Sequence, residues 1–147
     1  MKYSAGKTGR FFVIRLEDGD ILHESVEAVA RQEKIRSAVL VAVGGADRGS
    51  VLIVGPEQAR SETIVPMEHV LDDVYEVTGT GTLFPNARDE PVLHMHLSCG
   101  RKDRTVTGCV RRGVKVWQVM EVVLQEITES NAKRLLDPGT GFELLQP

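Results

Sequence analysis

Residues 91–110 read PVLHMHLSCGRKDRTVTGCV, and the way this stretch folds back on itself decides how the rest of the chain assembles. Val92 to Ser98 has strand character, and so does Thr105 to Val110. The polar, glycine-containing segment from Gly100 to Arg104 supplies the turn. Two strands joined so closely pair antiparallel. Successive strand residues point to opposite faces, so His94 and His96 share one face and Met95 takes the other. If the turn is centred between Lys102 and Asp103, His96 stands opposite Cys109 and His94 opposite Arg111. Directly opposed residues share a face with Cβ atoms about 4.5–5.5 Å apart. Two imidazoles and a thiol then converge, while Cys99 faces away from Cys109 and no disulfide between them is expected. A register slip of one residue would undo the convergence. On its own, the His-x-His pair reads equally well as a metal-binding pair or as a structural or solvent-exposed one.

Outward from the hairpin, the chain is mostly strand. Phe11 to Leu16, Ser37 to Val43, Val51 to Val54 and Val114 to Ile127 are apolar and β-branched, and Val74 to Leu83 alternates. Gly79 and Gly81 interrupt the last of these, which suggests a bulge or a close backbone approach. Short strands are also expected at Thr63 to Val65 and Phe142 to Leu145. From Ile21 the period changes: Leu22, Val26, Val29, Ala30 and Glu33 are spaced three and four apart, marking the one long amphipathic helix, with Asp20 as candidate N-cap. Ser130 is read as capping a short helical turn through Leu136. The expected fold is α+β, a mixed, mainly antiparallel β-sheet with one long helix packed on it. With 147 residues and no repeat, low-complexity tract or linker, residues 1–147 are read as a single domain.

Composition narrows the function classes. The chain is 41% hydrophobic and 27% charged, with only 5% aromatic residues and a formal net charge of -3. Nucleic-acid binders release counterions through a basic surface, and this chain has no basic excess. No apolar run approaches the roughly 20 residues that span a bilayer. Met1 to Arg10 is polar, without the apolar segment of a signal peptide, so the cytoplasm is the expected location. Two cysteines are too few for a disulfide scaffold and are expected as thiols or ligands.

His94, His96 and Cys109 are therefore the candidate metal ligands. Two nitrogens and a sulfur suit zinc, which prefers four-coordinate geometry. Iron, nickel and copper accept the same donor types. Three protein ligands leave a position for water, a small ligand or a residue of another chain. His69, read as a loop residue, is a candidate fourth ligand or simply an exposed histidine. Glu76 is a candidate general base on a metal-bound water, or a structural hydrogen-bond acceptor. His23 is read as solvated on the polar side of the helix. Arg101, Lys102, Arg104, Arg111, Arg112 and Lys115 form either a basic rim for an anion or a solvated turn guarding a sheet edge. Trp117 is read as core or subunit interface. Gly44-Gly45 lacks the pattern of a phosphate loop.

The same residues carry a family likeness. Pro91-Val92-Leu93-His94-Met95-His96-Leu97 followed by Thr107-Gly108-Cys109-Val110 resembles the plants-and-prokaryotes conserved (PPC) domain, which has a His-x-His strand, a short hairpin and a Gly-Gly-His-Leu segment. Phe12-Val13-Ile14-Arg15-Leu16, Val43-Gly44-Gly45-Ala46, Tyr75-Glu76-Val77-Thr78-Gly79-Thr80-Gly81, and Asp137 with Thr140-Gly141-Phe142 resemble further landmarks in the family order. The resemblance implies a homotrimer with a histidine metal site in stand-alone prokaryotic members. In plant members it implies attachment to AT-hooks that grip the DNA minor groove. Two departures stand out: Cys109 replaces the third family histidine and Thr107 the first glycine. The chain contains no Arg-Gly-Arg-Pro core of an AT-hook, so DNA is a partner suggested by likeness and unsupported by charge. The expectation is a trimeric zinc-binding domain with a regulatory or ligand-binding role. The competing reading is a small metal-dependent hydrolase or lyase.

Overall fold

The computed structural model describes residues 1–60, 64–111 and 113–147. The first strand, β1 (Lys7–Glu17), leads through a turn into the helix α1 (Leu22–Gln32). Six strands follow: β2 (Ala38–Ala46), β3 (Val51–Pro56), β4 (Pro66–Val70), β5 (Tyr75–Pro85), β6 (Pro91–Arg101) and β7 (Arg104–Val110). The long β8 (Val116–Thr128) and a small ribbon of β9 (Lys133–Leu136) and β10 (Glu143–Gln146) complete the chain. The first eight strands make one sheet in the order β1-β8-β2-β5-β6-β7-β3-β4, and every pairing in it is antiparallel. The α+β reading with one long helix holds, although the sheet is wholly rather than mainly antiparallel.

Alternation divides this sheet into two unlike faces. On one, Leu40, Ala42, Leu83, Met95, Leu97, Val122 and Leu124 are buried together with Leu22, Val26 and Ala30 of α1. This is the core, and α1 covers it. On the other face a single row of directly opposed residues crosses all eight strands: Val13, Val123, Val41, Thr80, His96, Cys109, Ile53 and Glu68. Phe11, Val13, Val39, Val41, Val43 and Val123 on this second face are all exposed in the single chain.

The helix does not begin as expected. Its N-cap is Ile21, with no side-chain cap. The Asp20 carboxylate instead accepts from the Glu17 N–H (2.9 Å), closing the turn before the helix. The Leu22 N–H finds the Val114 carbonyl at 2.9 Å, so a tertiary contact satisfies a donor that a cap would otherwise take. At the other end Lys34 adopts a positive φ of 57°, and the Ile35 N–H reaches back to the Ala30 carbonyl at 2.8 Å.

Three further local expectations are corrected. Ser130 to Leu136 is not helical. Lys133–Leu136 pairs with Glu143–Gln146 across a turn in which the Asp137 carboxylate accepts from both the N–H and the hydroxyl of Thr140. Cross-strand pairing thus outcompetes a helical turn too short to nucleate alone. Of the strand expected at Thr63 to Val65, Thr63 lies outside the described residues. Ile64 and Val65 are irregular, and the strand starts at Pro66, a residue suited to the first position of an edge strand. At Gly79 and Gly81 there is no bulge, because β5 keeps continuous register with both neighbours. Close approach is the correct half of that reading: a Cβ on Gly79 would stand 2.3 Å from Leu97 Cδ2 and 2.5 Å from the His96 carbonyl oxygen. Register shifts lie elsewhere in the sheet, one of them at Gly44/Gly45 against β8, where Gly44 has a φ of 148°.

Candidate metal centre

The hairpin pairs in the expected register. His96 is opposite Cys109, Ser98 opposite Thr107 and Arg101 opposite Arg104. His94 and His96 project from β6 on the same side, their ring centroids 5.3 Å apart and their planes at 65°. Met95, between them, is fully buried on the core face. Ligand atoms of His94, His96 and Cys109 all lie within 4.8 Å of one another. Cys99 is buried in the core, and both cysteines are free thiols. Burial pushes the Cys99 thiol up to about 11.

The three donors differ in environment. Cys109 is 7% exposed, His94 is half-buried and His96 is exposed. The Arg111 Nε donates to the Cys109 sulfur at 3.4 Å. Burial lowers the His94 pKa, and the charges of Arg134, His96 and Arg111 lower it further, so the imidazole is held neutral. A cavity of about 390 Å³ opens over these groups; Ile53, Ile64, Pro66 and Phe142 supply its apolar walls. A second cavity of about 200 Å³ adjoins it and shares His94 and Arg111, with His23, Glu27, Arg134 and Glu143 on its other sides.

The donor set fits a metal ion. Tetrahedral zinc with bonds of about 2.0–2.3 Å places its ligand atoms roughly 3.3–3.8 Å apart, so closing the set asks for side-chain shifts of about an ångström. Exposed His96 has room for that movement. Neutral imidazole and thiolate are the forms that coordinate a metal ion.

Other sequence candidates fall outside. His69 lies on β4, not in a loop, and pairs with Leu52. Because Ile53, one residue on, is the partner of Cys109, parity turns His69 away from the cluster. Glu76 is exposed on β5, four residues from Thr80, the partner of His96. At about 3.3 Å per residue that is roughly 13 Å along the strand, too far to act on a metal-bound water. The basic cluster is not continuous. Arg101 pairs with Asp73, Lys115 pairs with Asp47 at 2.6 Å, and Arg111 belongs to the metal cavity. Arg112 lies outside the described residues. Trp117 is half-buried, packed on Gly45.

Sequence reasoning missed three residues. Phe142 and Arg134 come to the cavities from the β9–β10 ribbon. His23, read as solvated, turns its Nδ1 inward, where that atom is buried without a partner. A buried arginine on a four-residue strand carries no local signal, since its burial depends on where the ribbon docks.

The Plants and Prokaryotes Conserved (PCC) domain family model matches residues 3–128. The chain belongs to this family. The match includes every proposed ligand of the PCC domain and ends before the β9–β10 ribbon. A metal-containing protein from Archaeoglobus fulgidus has a similar structure, with a TM-score of 0.84 and 20% identity over 100% of both chains. So does a plant- and prokaryote-conserved protein from Pyrococcus horikoshii, with a TM-score of 0.83 and 21% identity over 100% of this chain and 98% of that one. A protein from Bacteroides thetaiotaomicron, named as a conjectural DNA-binding protein, aligns with a TM-score of 0.76 and 14% identity over 96% of each chain. At these identities the likeness establishes the fold. No curated protein matches the sequence. Among the described residues, no helix is long and apolar enough to cross a membrane.

Proposed function

We propose that this PCC domain binds one divalent metal ion, zinc, through His94, His96 and Cys109, and presents an open coordination position to a small ligand. The observation that carries the reading is the convergence of two imidazoles and a thiol within 4.8 Å on one sheet face, beneath a cavity large enough for a ligand. Bound there, the ion would supply Lewis acidity and a fixed positive charge. The protein's part is to hold the donors. β6 and β7 fix their facing, Arg111 donates to the Cys109 sulfur, and Ile53, Ile64, Pro66 and Phe142 wall the cavity. The A. fulgidus relative, named as metal-containing, supports the reading by kinship.

The domain is read as one folding unit over 1–147 that acts in the cytoplasm as a homotrimer with a regulatory or ligand-binding role. The exposed row of Phe11, Val13, Val39, Val41, Val43 and Val123 supports assembly, because contiguous apolar surface of this kind marks interfaces. DNA association rests only on relatives' names. The net charge of -3 and the internally paired Arg101 and Lys115 argue against a phosphate-gripping stripe. The competing enzymatic reading relied on Glu76, whose position withdraws that support.

Zinc content of purified, zinc-equilibrated protein tests the proposal. The expected result is about one ion per chain, with strong depletion in His96→Ala and Cys109→Ala variants that remain folded. Equal zinc in wild type and both variants would remove these residues from the site. A gel shift at low salt, where electrostatic attraction is strongest, tests DNA; the expected result is no retarded band.

A further inference from the structure

The cavity beside the metal cluster contains charge that nothing described in the chain neutralises. Arg134 on β9 is 7% exposed. One terminal nitrogen donates to the Thr82 hydroxyl at 3.0 Å, Nε is buried with no partner, and the guanidinium carbon stands 6.0 Å from the Phe84 ring centroid. Among the described residues no carboxylate reaches ion-pair distance of Arg134. Buried cations are ordinarily paired, because an unpaired charge loses its hydration without compensation. A second guanidinium, that of Arg111, lines the same cavity and donates to the Cys109 sulfur, with no carboxylate at ion-pair distance among the described residues. His23 adds a buried Nδ1 that also lacks a partner.

The acidic residues here do not cancel this charge. Glu27 is engaged elsewhere: it accepts from the Leu93 N–H at 3.0 Å and lies 3.9 Å from Arg31. Glu143 lines the cavity but is exposed and makes no ion pair with Arg134. Cys109, as a metal ligand, would give its charge to the ion rather than to the arginines.

We infer that Arg134 and Arg111 form a receptor for the anionic group of a small carboxylate- or phosphate-bearing ligand, whose other end lies over His94, His96 and Cys109. Guanidinium forks match both oxyanions in bidentate geometry, which selects this ligand chemistry over neutral compounds. The cavities, about 390 and 200 Å³, share His94 and Arg111, so one small molecule can span them. Arg134 stands on the β9–β10 ribbon, beyond residue 128 where the family model's match ends.

The inference rests on the metal reading for the ligand's second anchor but is testable apart from it. Calorimetric titration with inorganic phosphate and with malonate, on zinc-loaded and metal-free protein, separates the two chemistries. Expected is saturable binding of at least one anion, weakened roughly tenfold in Arg134→Gln and in Arg111→Gln. Zinc content should stay unchanged in Arg134→Gln, and Glu143→Gln should bind the anion several-fold tighter. Should Arg134→Gln fail to fold by circular dichroism, the Arg111 and Glu143 variants decide. Full zinc loading with no binding of either anion up to about 10 mM, or equal binding in all variants, overturns the inference while leaving the metal site standing. Absence of zinc with arginine-dependent anion binding rejects the metal site alone.

Discussion

His96 stands directly opposite Cys109 on the β6–β7 hairpin, and Ile53 of β3 faces Cys109 from the other side. Cys109 is thereby enclosed between two strands yet faces the cavity, whereas Cys99, across from Val106, is sealed in the core. The two thiols are chemically distinct for that reason alone.

This difference is measurable by alkylation. The Cys99 pKa is pushed up to about 11 by burial, so at pH 8 almost none of it is thiolate. Iodoacetamide applied to folded, metal-free protein is expected to modify Cys109 and spare Cys99, with Cys99 reacting only after denaturation. Added zinc should suppress the Cys109 reaction. Peptide mass spectrometry reads both, and comparable labelling of the two thiols in folded protein would contradict the structure.

Gly79 of β5 lies tight against Leu97 and the His96 carbonyl of β6. Gly79→Ala would drive a Cβ onto the His96 carbonyl oxygen and Leu97 Cδ2, at 2.5 and 2.3 Å. Backbone cannot yield there without disturbing the strand that carries both histidines. A loss of about 2–4 kcal/mol in urea unfolding is expected. Gly100→Ala, with nothing nearer than Thr105 Oγ1 at 3.7 Å, should fall within about 0.5 kcal/mol of wild type.

Glu126 ties β8 to β1. It accepts from the Arg10 backbone N–H at 3.2 Å, from Nε at 2.8 Å and from a terminal nitrogen at 3.1 Å. The side-chain hydrogen bond to Arg10 holds the Glu126 pKa below its ordinary 4.5, against the opposing effect of burial. A depressed folded-state pKa contributes stability that is fully present above the unfolded value near 4.5 and disappears as pH falls through the folded one. Glu126→Gln should therefore cost roughly 1 kcal/mol at pH 7, and the gap to wild type should close well below pH 4.5. A gap that stays constant with pH would show that packing rather than charge is at work.

Val41 lies at the centre of the exposed apolar row, opposite Val123 on one side and Thr80 on the other. Val41→Glu should leave the fold intact, because the residue is 49% exposed in the single chain, and should reduce the assembled species in sedimentation velocity. Unchanged sedimentation of the variant would exclude this face as the interface.

The candidate ligands were legible before any coordinates because their placement depends on a short hairpin. Strand periodicity and one turn position set His94, His96 and Cys109 on one face, and both are local properties of residues 91–110. The helix was legible for the same reason, since Leu22, Val26 and Ala30 repeat with its period. Where a residue's role depended on a distant partner, the reading failed. Asp20 looked like a cap, but its carboxylate was taken by the preceding turn and the helix start was held by Val114. His69 missed the cluster by the parity of an edge strand whose start could not be read.

Sequence alone thus determined most of the sheet-forming segments, the single helix and the facing of the three donors, because each follows from covalent periodicity over a few residues. Tertiary structure decided what surrounds them. The antiparallel order of eight strands joined the apolar row of β1, β2 and β8 to the metal face. The docking of a ribbon some forty residues beyond His94 brought Arg134 and Phe142 to the cavities. Contacts between segments so far apart arise from the balance of burial against loop closure over the whole chain, and no local pattern encodes that balance.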